Sequence, residues 1–162
     1  MEIDKKHIEK ILSQVTDPEI PVLTIQDMGI LRNVEIVNDL IKVIITPTYS
    51  GCPAMDMISI NIKSALQDEG YNNVEILSIL SPVWTTDWMS SEAKAKLKAY
   101  GIAPPVEKTN DTSFISGSKK IVACPQCDSN NTKLISQFGS TACKALYQCN
   151  DCKEAFDYFK CY

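Results

Sequence analysis

The sequence predicts a mixed α/β (α+β) domain followed by a small all-β unit. Two observations lead to this prediction: helical and strand-like apolar patterns alternate through the first 105 residues, and two Cys-x-x-Cys pairs lie near the end of the chain. The predicted order is α-β-β-α-β-α, with helices packed on a small mixed sheet. We expect one domain over residues 1–105, a polar linker over 106–120 and the all-β unit over 121–162.

Apolar spacing and turn residues predict the elements of the first domain. Residues 4–15 place apolar side chains on one helical face, and Pro18 and Pro21 end that helix. Asn38 and Asp39 are typical of a hairpin turn between two strands. In order, we expect a helix over 4–15, strands over 30–37 and 40–46, a helix that begins at Pro53 and is capped by Gly70, a strand over 73–80, and a helix over 90–100.

Composition limits the class of protein. The chain has 162 residues, of which 44% are apolar, so a packed core and a small second unit are feasible. It has no apolar run of about 18 residues and no apolar stretch typical of a signal peptide at its start. We therefore expect a cytoplasmic protein without a membrane span. The net charge of −4 weighs against nucleic acid as a partner.

Cys52 lies at the joint between the second predicted strand and the second predicted helix. Because proline is favoured at the first helical position, Pro53 places Cys52 at the predicted N-cap. Unpaired backbone N–H groups and the positive end of the helix dipole favour a thiolate at that position. Two interpretations stay open: Cys52 is a reactive or metal-binding thiol, or it is a small buried apolar residue.

Two carboxylates lie close together in the loop that carries the two prolines. Asp17 and Glu19 flank Pro18. An Asp before a proline is a common turn signal, which favours a role in turn formation and solvation. The alternative is that Asp17 and Glu19 form a carboxylate pair near Cys52.

Six of the seven cysteines lie in the last 39 residues, Cys124 to Tyr162. Cys124 and Cys127 form one CxxC pair, and Cys149 and Cys152 form a second pair after 21 intervening residues. This spacing is typical of a tetrahedral Zn²⁺ site in a zinc ribbon, with strands predicted over 133–138, 144–148 and 155–159. Four thiolates fill the shell, so the zinc would be structural. A redox dithiol and a rubredoxin-like iron site are the alternatives.

The remaining candidate residues offer little for catalysis. His7 is the single histidine, and a Ser-His-Asp or Cys-His enzyme would need it as its base. The sequence also lacks a GxGxxG motif, a P-loop and an HExxH motif. Cys143 and Cys161 lie outside the two pairs, and we expect Cys143 to pack against the ribbon. We therefore expect a non-catalytic protein.

Several short motifs resemble a known family. Residues 17–19, 27–29 and 50–53 resemble the metal–sulfur cluster biosynthesis family, which includes the SufT-type assembly factors. Four further segments, together with the two CxxC pairs, narrow the resemblance to the PaaD (also called PaaJ) family of the phenylacetyl-CoA epoxidase system. These segments are 84–89, 101–105, 138–145 and 156–160. The resemblance covers nearly the whole chain apart from the linker.

The resemblance implies roles for the candidate residues. Cys52 would handle iron or an iron–sulfur cluster, with Asp17 and Glu19 beside its pocket. The four cysteines of the CxxC pairs would be the ligands of a structural zinc. Because Cys52 alone cannot fill the shell of a cluster, a homodimer partner, a client protein or a small thiol would complete it.

The resemblance also implies an accessory role in aerobic phenylacetate catabolism. The family serves a multicomponent di-iron oxygenase, the phenylacetyl-CoA ring-1,2-epoxidase, which has a separate iron–sulfur reductase. The implied partners are the oxygenase or the reductase. Two classes stay open: a maturation factor that assists assembly of an iron or iron–sulfur centre, and a thiol-based redox or structural subunit needed during turnover. A regulatory ribbon protein that binds nucleic acid is a third option.

Overall fold

The computed structural model describes residues 3–106 and 121–160, which fall into two compact units, one ending at Ala93 and the other beginning at Lys94. The first unit contains α1 (Lys5–Leu12), β1 (Leu31–Val37), β2 (Leu40–Ile45), α2 (Ala54–Asp68), β3 (Val74–Ser78) and a short 3-10 helix (Thr86–Trp88). Helix α3 (Ser91–Tyr100) leads into the second unit. This order confirms the predicted fold class. No helix in the described ranges is long and apolar enough to cross a membrane.

A three-stranded mixed sheet, in the order β1-β2-β3, forms the centre of the first unit. β1 runs antiparallel to β2 through a turn in which Asn38 has φ +56°, a conformation that asparagine tolerates. β3 runs parallel to β2, and α2 is the crossover between them. Burial alternates along β2, as expected for a strand with one face on the core. The core residues that α1, α2 and β2 contribute are Ile8, Leu12, Ala54, Ile58, Ile62, Leu66, Ile41, Val43 and Ile45.

The tryptophan segment after β3 closes the core of the first unit. Trp84 is 1% exposed, and its indole N–H donates to the carbonyl oxygen of Met28 at 2.7 Å. Gly29 has φ +71°, and a Cβ at that position would lie 2.7 Å from the Cβ of Trp88. The guanidinium of Arg32 lies 3.7 Å from the centre of the Trp88 ring. The two tryptophans therefore cover the core, as large aromatic side chains commonly do.

A four-stranded sheet, in the order β4-β7-β6-β5, forms the second unit. Its strands are β4 (Ile102–Ala103), β5 (Thr132–Ser136), β6 (Lys144–Cys149) and β7 (Ala155–Phe159). The antiparallel pairing of β5, β6 and β7 confirms the predicted all-β unit. The pairing of β4 with β7 is parallel and was not predicted, because a two-residue strand leaves no periodic pattern.

The predicted domain bounds, 1–105, 106–120 and 121–162, stay a prediction. Residues 107–120, which make up nearly all of the predicted linker, lie outside the described residues, and so does Cys161.

Candidate metal centre and thiol site

The four cysteines of the CxxC pairs converge on one point. Their sulfur atoms all lie within 4.8 Å of one another. The Sγ atoms of Cys124 and Cys152 are 3.7 Å apart, and those of Cys127 and Cys149 are 3.6 Å apart. Four sulfurs at about 2.3 Å from a tetrahedral Zn²⁺ would be separated by roughly 3.8 Å, whereas a disulfide needs about 2.0 Å. The spacing therefore fits a closed tetrahedral metal centre and excludes disulfides between these sulfurs.

Matching backbone turns position the two cysteine pairs. In each pair the residue after the second cysteine is left-handed: Asp128 has φ +59° and Lys153 has φ +67°. The Asp151 carboxylate accepts hydrogen bonds from the Ser129 hydroxyl and, at 2.9 Å, from the side-chain amide of Asn131. These hydrogen bonds join the two turns, so they fix the position of one cysteine pair relative to the other.

The backbone also prepares one thiol for metal binding. A hydrogen bond from the backbone N–H of Cys152, together with one from Asp151, lowers the pKa of Cys149 to about 7. Metal binding requires the thiolate and releases a proton. Cys149 therefore loses its proton near neutral pH at less cost than an ordinary cysteine does.

Cys52 lies in a tight loop between β2 and α2. Gly51 has φ +78°, and the Cys52 N–H donates to the Tyr49 carbonyl at 3.3 Å, which closes a turn that requires glycine at its third position. Helix α2 has Pro53 at its N-cap, so Cys52 lies one residue earlier and its predicted N-cap position was wrong. The reason is that the Met55 N–H bonds to the Cys52 carbonyl, three residues back, at 3.2 Å, so the first turn is 3-10-like and the α-helix starts later.

The thiol of Cys52 is half-buried, and its pKa is raised. Burial is the largest cause, because loss of water disfavours the anion. Hydrogen bonds from the Ala54 backbone and from the Tyr49 and Thr48 side chains lower the pKa, whereas the Glu19 carboxylate raises it. The helix end therefore stabilises the anion, as the sequence indicates, but burial outweighs this effect and the net shift of the pKa is upward.

The two loop carboxylates have different surroundings. Asp17 is 5% exposed, and its Oδ1 accepts from the backbone N–H of Glu19 at 2.7 Å and of Ile20 at 3.0 Å. This is the turn chemistry that the local sequence favoured. Glu19, held by this turn, is close enough to Cys52 for its charge to act on the sulfur. Glu19 therefore acts on Cys52 through its charge, and Asp17 shapes the loop that carries Glu19.

Hydroxyl groups are the part of this site that the sequence analysis missed. Thr48 and Tyr49 hydrogen-bond the sulfur of Cys52. Thr46 is 1% exposed, and its Oγ1 has no hydrogen-bond partner among the described residues. Buried polar atoms usually have a partner, so Thr46 is a candidate contact for a bound water or ligand. A signal was present: hydroxyl side chains are concentrated in the six residues before Cys52, where the strand pattern ends.

Cys143 packs inside the second unit, as expected. It is 6% exposed, and its Sγ lies 3.0 Å from the Thr141 hydroxyl. The neighbouring Lys144 is also buried and donates to the Ser140 hydroxyl at 3.1 Å, which in turn donates to Asp157 at 3.0 Å. This chain of hydrogen bonds ties the loop before β6 to β7 and has a structural role.

Two family models match the chain. The model of the iron–sulfur cluster assembly proteins matches residues 5–77, and the model of the PaaD zinc beta ribbon domain matches residues 108–160. Fold and sites together therefore define the class: a cluster-assembly type domain that carries Cys52, followed by a zinc ribbon.

Individual relatives agree with this class. The chain is 48% identical over 151 residues to an Escherichia coli (strain K12) protein that is provisionally named as a subunit of 1,2-phenylacetyl-CoA epoxidase, with coverage of 93% of this chain and 89% of that protein. It is 35% identical over 95 residues to an Fe-S protein maturation auxiliary factor of Porphyromonas gingivalis, which covers 57% of this chain and 90% of that factor. The chain belongs to the PaaD family, which is the family of this phenylacetyl-CoA epoxidase subunit.

A solved structure supports the fold of the first unit. The crystal structure of a domain of unknown function, DUF59, from Bacillus anthracis superposes with a TM-score of 0.53 at 27% identity. The superposition covers 57% of this chain and 90% of that chain.

Proposed function

We propose that the protein is a cytoplasmic accessory subunit that assists assembly of an iron or iron–sulfur centre of a phenylacetyl-CoA epoxidase. The observation that carries this proposal is Cys52: a half-buried thiol beside the Glu19 carboxylate, in a domain that matches cluster-assembly proteins. The names of two relatives support the proposed client and role. One relative is named as an epoxidase subunit, and another is named as a maturation factor for Fe-S proteins.

In this proposal Cys52 binds iron or a cluster only transiently. Its raised pKa keeps the thiol protonated near neutral pH, so an incoming metal must displace the proton. The Glu19 carboxylate disfavours a free thiolate but attracts a cation, so it favours the metal-bound form over the bare anion. One thiolate fills only part of the shell, and the oxygenase or reductase that receives the metal would provide the other ligands. Incomplete ligation suits a carrier that must release its cargo.

We also propose that Cys124, Cys127, Cys149 and Cys152 hold a structural zinc ion. The sulfur separations fit a tetrahedral shell, and four thiolates leave no open position for a substrate. The second unit is small, so the metal would contribute a large part of its folding free energy.

The test is production of the epoxidase with and without this protein, followed by purification without oxygen. We expect the oxygenase or its reductase to lack metal when this protein is absent and to become active once the metal is restored chemically. Cys52→Ala is expected to reproduce the metal deficit. Cys143→Ala is the matched control, because it removes a buried thiol that packs inside the second unit.

The alternative is a thiol-based redox or structural subunit that the epoxidase needs during turnover. In that case a fully metallated epoxidase would still require this protein in stoichiometric amounts for activity. This result would contradict the assembly role.

A further inference from the structure

The two edges of the first sheet differ in how they are protected. The edge strand β1 exposes Arg32, Asn33 and Glu35, and its register with β2 shifts near its start. Charged side chains and irregularities of this kind block pairing with other chains. The opposite edge strand, β3, and the segment after it carry a single charged residue, Glu75, over residues 74–83.

The outer side of β3 also carries backbone groups that no strand among the described residues bonds. The carbonyl of Asn73 and the N–H of Ile79 each bond to β2 at 2.9 Å. Because successive residues of a strand direct their backbone groups to opposite sides, the odd-numbered residues bond to β2, and the N–H and C=O groups of Ile76 and Ser78 face away from it. In the described part of the chain no strand pairs with this side of β3.

Apolar side chains line this unpaired edge. Leu77 in the strand is 36% exposed, and Leu80, two residues after the strand ends, is 61% exposed. The Glu75 carboxylate lies 3.8 Å from Nζ of Lys42 on β2, so the one negative charge is offset within its own sheet. An apolar edge with outward-facing backbone groups, whose one charge is offset within its own sheet, is the kind of surface on which a further strand adds.

We propose that the β3 edge pairs antiparallel with the β3 edge of a second copy of this chain, on a two-fold axis at Ser78. In this register Ile76 lies opposite Leu80 of the second copy, and Leu77 lies opposite its Ile79. Each Glu75 lies opposite a serine rather than another carboxylate, so the pairing places no like charges together. The edge is therefore complementary to itself, which is the requirement for a symmetric dimer. The two three-stranded sheets become one sheet of six strands.

The pairing keeps the two Cys52 thiols apart. Because β2 and β3 are parallel, the Cys52 loop leaves the sheet at the end where β3 also ends. In an antiparallel dimer the loops of the two copies leave in opposite directions, from strand ends that are roughly 14 Å apart, or three strand spacings. The dimer therefore contains two separate Cys52 sites and does not form a cluster shared between two Cys52 residues.

The test is the mass of the full-length, zinc-loaded protein, measured by sedimentation equilibrium over a wide range of concentrations. We expect the wild type to reach twice the 18.0 kDa of one chain. Ser78→Pro removes the outward N–H at the axis without removing a bond to β2, so we expect a monomer. Ser78→Ala keeps that N–H and is expected to stay dimeric.

A second pair of variants uses charge instead of backbone chemistry. Leu77→Lys places a cation in the pairing edge and is expected to give a monomer with an unchanged circular dichroism spectrum. Val37→Lys places the same cation on β1 at a side chain of similar exposure, 48%, and is expected to stay dimeric. Cys52→Ser is also expected to stay dimeric, since the thiols do not hold the dimer together.

Two results would overturn the proposal. One is a monomeric wild type. That result would overturn the dimer whichever alternative occupant the β3 edge has, residues 107–120 of the same chain or a strand of another protein. The other is a dimer that persists in Leu77→Lys. If Ser78→Pro does not fold, Leu77→Lys decides the question alone. None of these measurements depends on epoxidase assembly, so the dimer and the proposed function can fail separately.

Discussion

Gly29→Ala is expected to destabilise the first unit more than the same substitution at a glycine that has open space where its Cβ would lie. At Gly29 φ is +71°, and an added Cβ would meet the Cβ of Trp88 at 2.7 Å and its carbonyl oxygen at 2.8 Å. Backbone atoms cannot move aside as the end of a flexible side chain can. Gly70→Ala is the matched control, because Gly70 has φ +91° but no atom within 4 Å of an added Cβ.

The magnitude follows from two separate costs. A residue with a Cβ in the left-handed conformation costs roughly 1–2 kcal/mol, and this cost applies to both Gly29 and Gly70. Overpacking a close contact costs about 1–3 kcal/mol more, and it applies to Gly29 alone. We therefore expect a loss of about 2–5 kcal/mol in Gly29→Ala and about 1–2 kcal/mol in Gly70→Ala.

The assay is urea unfolding of the full chain, followed by tryptophan fluorescence with zinc present. Both tryptophans, Trp84 and Trp88, lie in the first unit, so the signal reports on that unit. Equal losses of unfolding free energy in the two variants would refute the close packing of Gly29 against the tryptophan segment.

Two further predictions concern the loop beside Cys52. Glu19→Gln removes an anion that raises the pKa of Cys52, so we expect that pKa to fall and the thiolate fraction at pH 7 to rise. Alkylation of Cys52, followed by mass spectrometry of its peptide, should then accelerate on the order of a few-fold. An unchanged alkylation rate would contradict the effect of Glu19 on the thiol. Asp17→Ala removes the acceptor for two backbone N–H groups and should lower the free energy of unfolding by about 1–2 kcal/mol. Asp17→Asn keeps an acceptor oxygen and should lower it by less. Equal losses in the two variants would contradict the role of Asp17 as the acceptor that forms the turn.

Features with a short-range cause could be predicted from the sequence. β2 and α2 were located within about two residues, because apolar periodicity and the Gly51-Cys52-Pro53 turn depend on neighbouring residues alone. The convergence of the four sulfurs followed from CxxC spacing, since each pair presents both of its sulfurs to one centre.

Features with a long-range cause could not be predicted. The pKa of Cys52 depends on burial and on Glu19, which is distant in the chain, so helix-end chemistry alone did not indicate the net shift. The contact of Trp84 with Met28 and the pairing of β4 with β7 likewise join segments that share no local pattern. The buried hydroxyl of Thr46 looked like an ordinary strand residue, because its missing partner is visible only in three dimensions.

In the proposed function the two sites have different roles: the four ribbon cysteines hold a permanent structural ion, and Cys52 handles metal transiently. Zinc and iron content per chain, measured on protein purified without oxygen, tests it most directly. We expect about one zinc and little iron in the wild type and in Cys52→Ser, because the four-thiolate shell is complete without Cys52. In Cys124→Ser we expect the zinc to be lost, while the tryptophan signal still reports a folded first unit. Loss of zinc in Cys52→Ser, or unfolding of the first unit in Cys124→Ser, would contradict the account.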